Sequence, residues 1–439
     1  MADKIGLGTF ITDSTELTSS GLDSFSVPPV DTVLKDGKTV YYYPITSVTD
    51  AGPYEFQIVK DPDHYIHLPM TRLEGELEIV KADGTALADD EKITVCNLFT
   101  QSIFKQVECE LNGTEVCDLS TPTYAYKSFI ETHLTYGTSA KETHLYCSMY
   151  HKDTPGKEEL LTEANVGGST RTERIRGQKV RFSNIIHSDF FQCHKYLIPN
   201  TDVKLKFIRN SDKFSIIGEA AKEYKIKVHK LQLQVRKIKI DPGYQQTLES
   251  TLATTPALYN VTQSKIKTFN IPTGTTSLDI PNVIQGNLPR SVHIGFVSND
   301  AFNGTIGTNP YVFGHQNINY FNIKVNGIPV CPTPFQPNFA LKGGAIREYR
   351  WFMDNCGIQH ENETNGITYE DFVSNTAIWN FDLTPDLCNS FHLHETKTGS
   401  MDVTLGFSAA PTKPLYMIVY SCYNSAIAID ADRNVRVIN

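Results

Sequence analysis

Residues 107–117, VECELNGTEVC, and residues 321–331, FNIKVNGIPVC, follow one pattern. Apolar residues stand at alternate positions, then come Asn-Gly, two free positions, Val and Cys. Asn-Gly between alternating runs is the strongest short-range signal for a two-residue β-hairpin, because both central residues of that turn need φ > 0. Asn112, Gly113, Asn326 and Gly327 are therefore the expected residues of two structural hairpin turns. One such hairpin constrains little. Met twice with its flanks in register (Val107 with Phe321, Cys109 with Ile323, Leu111 with Val325), it points to a unit built twice.

Two further echoes follow in the same order. DVKLKF at 202 answers DVTLGF at 402, and IKID at 238 answers IAID at 427. The offsets are 326 − 112 = 214, 402 − 202 = 200 and 427 − 238 = 189, so connection lengths differ between the copies while the order holds. After the first hairpin, Thr121-Pro122 reads as the cap and first residue of a helix. Tyr126, Phe129, Ile130, His133 and Leu134 then share one face, and Gly137 is placed to end it. After the second, Ile346, Tyr349 and Met353 mark a similar stripe that ends at Gly357.

Elsewhere alternation with a period of two dominates. Leu73, Leu77 and Ile79 fall on one face of a strand and Glu74, Glu76 and Glu78 on the other. Over 225–240 the apolar phase slips twice, from Ile226 and Val228 to Leu231, Leu233 and Val235, then back to Ile238 and Ile240. Each slip needs an extra residue absorbed in a bulge. The expected fold class is all-β: two side-by-side eight-stranded β-sandwiches of jelly-roll type, with short helices in the connecting loops. The expected organisation is an arm over 1–41, a first jelly roll over 42–240, a linker over 241–255, and a second jelly roll with a C-terminal tail over 256–439.

A net charge of −9 argues against a protein whose main task is to grip nucleic acid, and no sequence-specific nucleic-acid binding is expected. The longest apolar stretch, Leu415–Ile429, is interrupted by Ser421, Asn424 and Ser425 and falls short of the ~18 residues of a membrane span. Contact with a membrane is left open. The opening MADKIGLGTFITDSTEL lacks the apolar run and small-residue cleavage site of a signal peptide. Nine cysteines without a C-x-x-C pair fit folding in a reducing compartment.

No catalytic constellation emerges. HETKT at 394 begins like a zinc-protease helix, but Thr398 stands where the second His is needed. His64 with His67, and His392 with His394, could each offer two imidazoles, but in strand-rich surroundings they read as solvated or core-edge histidines rather than metal ligands. G-x-x-x-x-G-K-[ST], G-x-G-x-x-G and G-x-S-x-G are all absent. Arg171, Arg174, Arg176, Lys179 and Arg181 cluster, as do the lysines of 222–239, but without interleaved aromatics they read as wet faces of amphipathic elements. Trp351 and Trp379 read as packing residues. No cofactor, no metal and no enzymatic activity are expected. The alternative from another class is a carbohydrate-binding or glycosidase-like β-sandwich, which needs paired carboxylates and aromatics in a cleft.

Longer stretches carry a resemblance. VPPVDT at 27, GPYEFQI at 52, TYAYKSFIETHLTYG at 123, AKETHL at 140, FVSNDAFNG at 296, NGITYEDF at 365, FDLTPDL at 381 and AIDADRNVRV at 428 resemble the major capsid proteins of Polinton/Maverick elements and the related adintoviruses. They are co-linear and run from about residue 27 to the C-terminus. That family belongs to the double jelly-roll lineage of adenovirus hexons and tectivirus coats. The resemblance implies a capsid protein of the virion, made and folded inside the host cell. Its homotrimers would form pseudo-hexameric capsomers in an icosahedral shell, with penton and minor capsid proteins as further partners. The arm over 1–41 is expected to be poorly ordered in the isolated protein and to order against neighbours on the inner side of the shell.

Overall fold

The computed structural model describes residues 24, 27–117, 122–358, 362–387 and 394–438. The expected disorder of residues 1–23, the capping role of Thr121 and the position of His392 lie outside the described residues.

Eight strands form the first unit: β1 (Leu34–Tyr42), β2 (Tyr54–Ile58), β3 (Tyr65–Lys81), β4 (Phe104–Leu111), β5 (Thr114–Glu115), β6 (Val180–Ile185), β7 (Val203–Arg209) and β8 (Tyr224–Ile240). Eight more form the second: β9 (Ala257–Ile271), β10 (Ser277–Asn287), β11 (Ser291–Ser298), β12 (Ile318–Val325), β13 (Ile328–Pro329), β14 (Trp379–Asp382), β15 (Thr398–Phe407) and β16 (Leu415–Ile429). A last strand, β17 (Val435–Ile438), pairs with β16. A two-stranded ladder of Ile93–Val95 with Ile216–Gly218 braces the loops of the first unit.

The sheet orders are β1-β8-β3-β6 and β2-β7-β4-β5 in the first unit, and β9-β16-β11-β14 and β10-β15-β12-β13 in the second. Adding eight to each strand number of the first unit gives the second. All the named ladders are antiparallel, with the first and last strands of each unit adjacent, which is the jelly-roll winding. The chain is a double jelly roll.

The echoes fall on equivalent strands. β4 and β12 begin 318 − 104 = 214 residues apart, and β5 and β13 begin 328 − 114 = 214 apart. DVKLKF and DVTLGF lie on β7 and β15, IKID and IAID at the ends of β8 and β16. A register difference separates the copies beside the hairpin turns. Leu111 faces Val203, whereas Val325 faces Met401, two residues before the Val403 that the echo aligns with Val203. A slide of two keeps every side chain on its face. The two phase slips of 225–240 appear as register shifts between β8 and β3, at Val228/Lys230 and Gln234/Arg236.

Each unit has its own core between its two sheets. Phe56, Leu73, Leu111, Leu205 and Leu233 belong to the first, and Ile294, Phe321, Trp379, Val403 and Val419 to the second. A further cluster joins them. Its residues come from loops of the first unit, including Tyr126, Phe129 and Phe214, and from loops and the strands β9, β11 and β16 of the second, including Tyr311, Ile266, Val297 and Ile418. β16 is thus buried on both faces, Met417 and Val419 toward its own core and Ile418 and Tyr420 toward the first unit. That is why its first half, Leu415–Tyr420, reads as an unbroken apolar run without alternation.

Four readings change. β1 begins at Leu34, so the arm of 1–41 overlaps the first jelly roll. Most of β1's residues are exposed on this edge strand, so it carries no apolar alternation to mark it. Within the linker of 241–255, α3 (Pro242–Leu252) forms, with Asp241 accepting from the backbone N–H groups of Gly243 and Tyr244 and Pro242 as the first helical residue. The helix after the first hairpin, α1 (Tyr124–Thr135), starts two residues past Pro122, behind Thr123. A second helix in that loop, α2, spans Val166–Ile175. In α4 (Ile346–Asp354), Ile346 is exposed and the inward face is set by Glu348 and Phe352, with Tyr349 and Met353 beside them.

Candidate functional site

The two Asn-Gly turns share one geometry. Asn112 and Gly113 have φ of 49° and 82°, Asn326 and Gly327 φ of 52° and 78°. Each Asn also holds the neighbouring strand. Asn112 Oδ1 accepts from the Asp202 N–H at 2.8 Å while the Asn112 N–H donates to the Asp202 carbonyl at 3.0 Å. Asn326 does the same with Ser400, at 2.9 Å in both directions. Asn tolerates the left-handed region and supplies the acceptor, so one residue type closes the turn and extends the ladder.

The turns mark one end of each jelly roll. Ile58 and Leu111 both face Val203 there, and the β8 end at Ile240 lies beside the start of β1. In the second unit the β10–β11 turn, the Asn326-Gly327 turn and the start of β15 gather at the equivalent end. The chain passes from β8 to β9 at this end, and the Asn112 amide donates to the Arg433 carbonyl from beyond β16. The entry to β1, the linker and the C-terminal strand therefore share one side, the base. The long connections, 116–179 and 330–378, start beside the turns, from the two-residue strands β5 and β13, and lead on to β6 and β14.

Between the units the seam is part apolar and part ionic. Phe129 and Tyr311 stack at 4.2 Å and Tyr126 stacks on Phe302 at 5.6 Å. On α1, Lys127 pairs with Asp189, and Asp189 accepts from the backbone N–H (3.0 Å) and hydroxyl (2.8 Å) of Ser264 on β9. Glu131 takes a hydrogen bond from Tyr420 of β16 at 3.0 Å and contacts His187 Nδ1 at 2.6 Å. Burial works to raise Glu131, but Lys127 and His187 hold its carboxyl below the usual range. Burial works against the Lys127 charge, but Asp189 and Glu131 raise its pKa. Nearby, Lys141 Nζ donates to the carbonyls of His133 and Asn365 at 2.6 Å each, and Lys152 pairs with Asp371 of α5 (Tyr369–Ser374). Loops 137–170 and 297–316 meet each other across this seam: Glu159 Oε1 accepts from the Asn309 N–H at 3.1 Å.

The sequence candidates for chemistry disperse. His64 contacts Asp61 at 3.0 Å, whereas His67 packs edge-on against Tyr196. His394 pairs with Asp386. Among the described residues no three His, Cys, Asp or Glu side chains are placed to hold a metal. The basic cluster is engaged internally: Arg171 is buried against Asp153, Arg174 stacks on Tyr146, Arg176 bonds the Glu91 carbonyl, and Lys179 and Arg181 neutralise Glu76. Trp379 stacks on Phe321 at 4.3 Å, and Trp351 donates its indole N–H to the Asn380 carbonyl. Among the described residues no helix is long and apolar enough to cross a membrane. Sequence reasoning missed the ionic seam. Charged residues on a helix face announce solvent, and only the i, i+4 spacing of Lys127 and Glu131 hinted at a pair.

What the fold defines is a duplicated jelly roll, and comparison with known proteins finds the same fold elsewhere. No protein-family model matches the chain. The uncharacterized protein F54H12.2 of Caenorhabditis elegans is 23% identical over 400 residues, covering 87% of this chain and 92% of that one. A chain of the Sputnik virophage superposes with a TM-score of 0.64 at 11% identity, covering 97% of this chain and 93% of its own. A chain of the PBCV-1 virus capsid gives 0.57 at 12% identity, with 94% and 98% covered. The mavirus major capsid protein gives 0.54 at 12% identity, with 97% and 95% covered. These chains share the double jelly-roll fold over nearly their whole length.

Proposed function

We propose that this chain is a major capsid protein, located in the shell of a virion, of a double-stranded DNA virus or Polinton-like element. The observation that carries the reading is the strand-for-strand duplication into two jelly rolls fixed side by side. One chain then offers two similar outer faces, and three chains about a threefold axis offer six, which tile a hexagonal lattice. A homotrimer acting as a pseudo-hexamer is the assembly that uses this duplication, and penton and minor capsid proteins would close the vertices of an icosahedral shell. The nematode relative fits an element carried in an animal genome. The ionic seam suits the role, since two lobes that shift against each other could not keep six faces equivalent. Negative-stain electron microscopy of the purified protein tests the reading. Hexagonal capsomers or closed shells are expected, and isolated bilobed particles at all concentrations would overturn it.

A further inference from the structure

The base of the second jelly roll holds a groove of about 1090 Å³. Its walls are β9, β10, the β12–β13 hairpin and residues 382–387 and 394–397. Its floor and lips are apolar, with Trp351 and Val330 inside and Ile328 and Leu387, 71% and 52% exposed, at the rim. Four cations line it, Lys265, Lys267, Arg290 and Lys397, against two carboxylates, Asp382 and Glu395. Among the described residues none of Lys265, Lys267 and Lys397 pairs with a carboxylate. Lys267 donates to the Val283 carbonyl, and Lys265 lies over the Tyr423 ring. An apolar trough of this size with a basic rim suits an extended segment that is apolar and acidic.

The chain itself carries such a segment. Residues 1–23 hold Ile5, Leu7, Phe10, Ile11, Leu17 and Leu22 together with Asp3, Asp13, Glu16 and Asp23 against a single Lys4. They lead into Val27 and Val30, 82% and 78% exposed, and then into β1, which starts at the base of the first jelly roll. We infer that the groove receives residues 1–23 of a neighbouring copy in the assembly. The first jelly roll of one copy lies beside the second jelly roll of the next in a ring of three, so the segment leaves one base directly next to the other's groove. This rests on the capsomer reading.

The test uses the full chain and a zero-length carbodiimide crosslinker, which joins a lysine amine to a carboxylate. Equal amounts of ¹⁴N- and ¹⁵N-labelled protein are assembled together, crosslinked and analysed by mass spectrometry. Crosslinks from Lys267 or Lys397 to Asp13 or Glu16 that mix the two isotopes are expected. K267E/K397E should abolish them with an unchanged melting curve, and adding D13K/E16K should restore them by exchanging amine and carboxylate. Trimers without these mixed crosslinks, or with single-isotope crosslinks alone, overturn the inference and leave the capsomer intact. A sample that stays monomeric and gives no mixed crosslinks overturns both.

Discussion

Gly113 and Gly327 separate backbone strain from packing. Their φ angles are 82° and 78°, and a Cβ built on either meets nothing within 4 Å. Valine at either position therefore costs strain alone, about 1–2 kcal/mol for an L-residue held in the left-handed region, with β-branching pushing toward the upper end. For a cooperative unit of 150–250 residues, the range of one jelly roll, each kcal/mol lowers Tm by about 2–4 °C, so G113V and G327V should each melt about 2–8 °C below wild type. Gly295 supplies the contrast. Its φ lies outside the left-handed region, but an added Cβ would sit 2.4 Å from Phe313 Cδ1, so G295A should cost about 1–3 kcal/mol through overpacking. Differential scanning calorimetry of the three variants reads all of this. Valine variants that melt with the wild type while G295A does not would refute the strain argument.

Three further outcomes follow from the seam and the turns. N112A should be less stable than N326A by about 1 kcal/mol in urea unfolding, because Asn112 also donates to the Arg433 carbonyl at 2.8 Å. D189A, which removes the nearer of the two carboxylates facing the buried Lys127 ammonium and leaves Glu131 at 3.8 Å, should cost about 3–5 kcal/mol, and pairing it with Lys127→Met should recover much of that loss. Burial, reinforced by Lys141 and Lys152, keeps the His133 pKa well below its ordinary 6.5. Unfolding then lets His133 take up a proton, so its contribution to stability is full above about pH 6.5 and is lost as pH falls toward the folded value. Tm measured from pH 7.5 to 5 should drop less steeply in H133Q, and parallel profiles would contradict this.

How far the sequence spoke depended on burial. The duplication was legible because hairpin turns and central strands are the positions where few residue types fit. Asn-Gly is required twice by φ > 0, and D-V-x-L-x-F places alternate residues in a core. The slips in 225–240 were legible because one face of β8 is buried and each phase change must be absorbed. β1 was not, since an edge strand reading LKDGKTVYY has little to bury. α3 hid behind the turn signal of Asp241-Pro242, the same two residues that cap it. The seam was silent for a deeper reason. Lys127, Glu131 and Asp189 are paired by residues far along the chain, Ser264 and Tyr420 among them, and no local pattern encodes such a pairing.

The central claim is that two jelly rolls in one chain exist so that three chains can make six faces. Native mass spectrometry of dilute protein tests it most directly. A species of about three times 49.2 kDa is predicted, with contacts of more than about 2,000 Å² per pair holding it together on dilution. A folded monomer or dimer that persists as the concentration is raised, with no trimer and no shell, would contradict it.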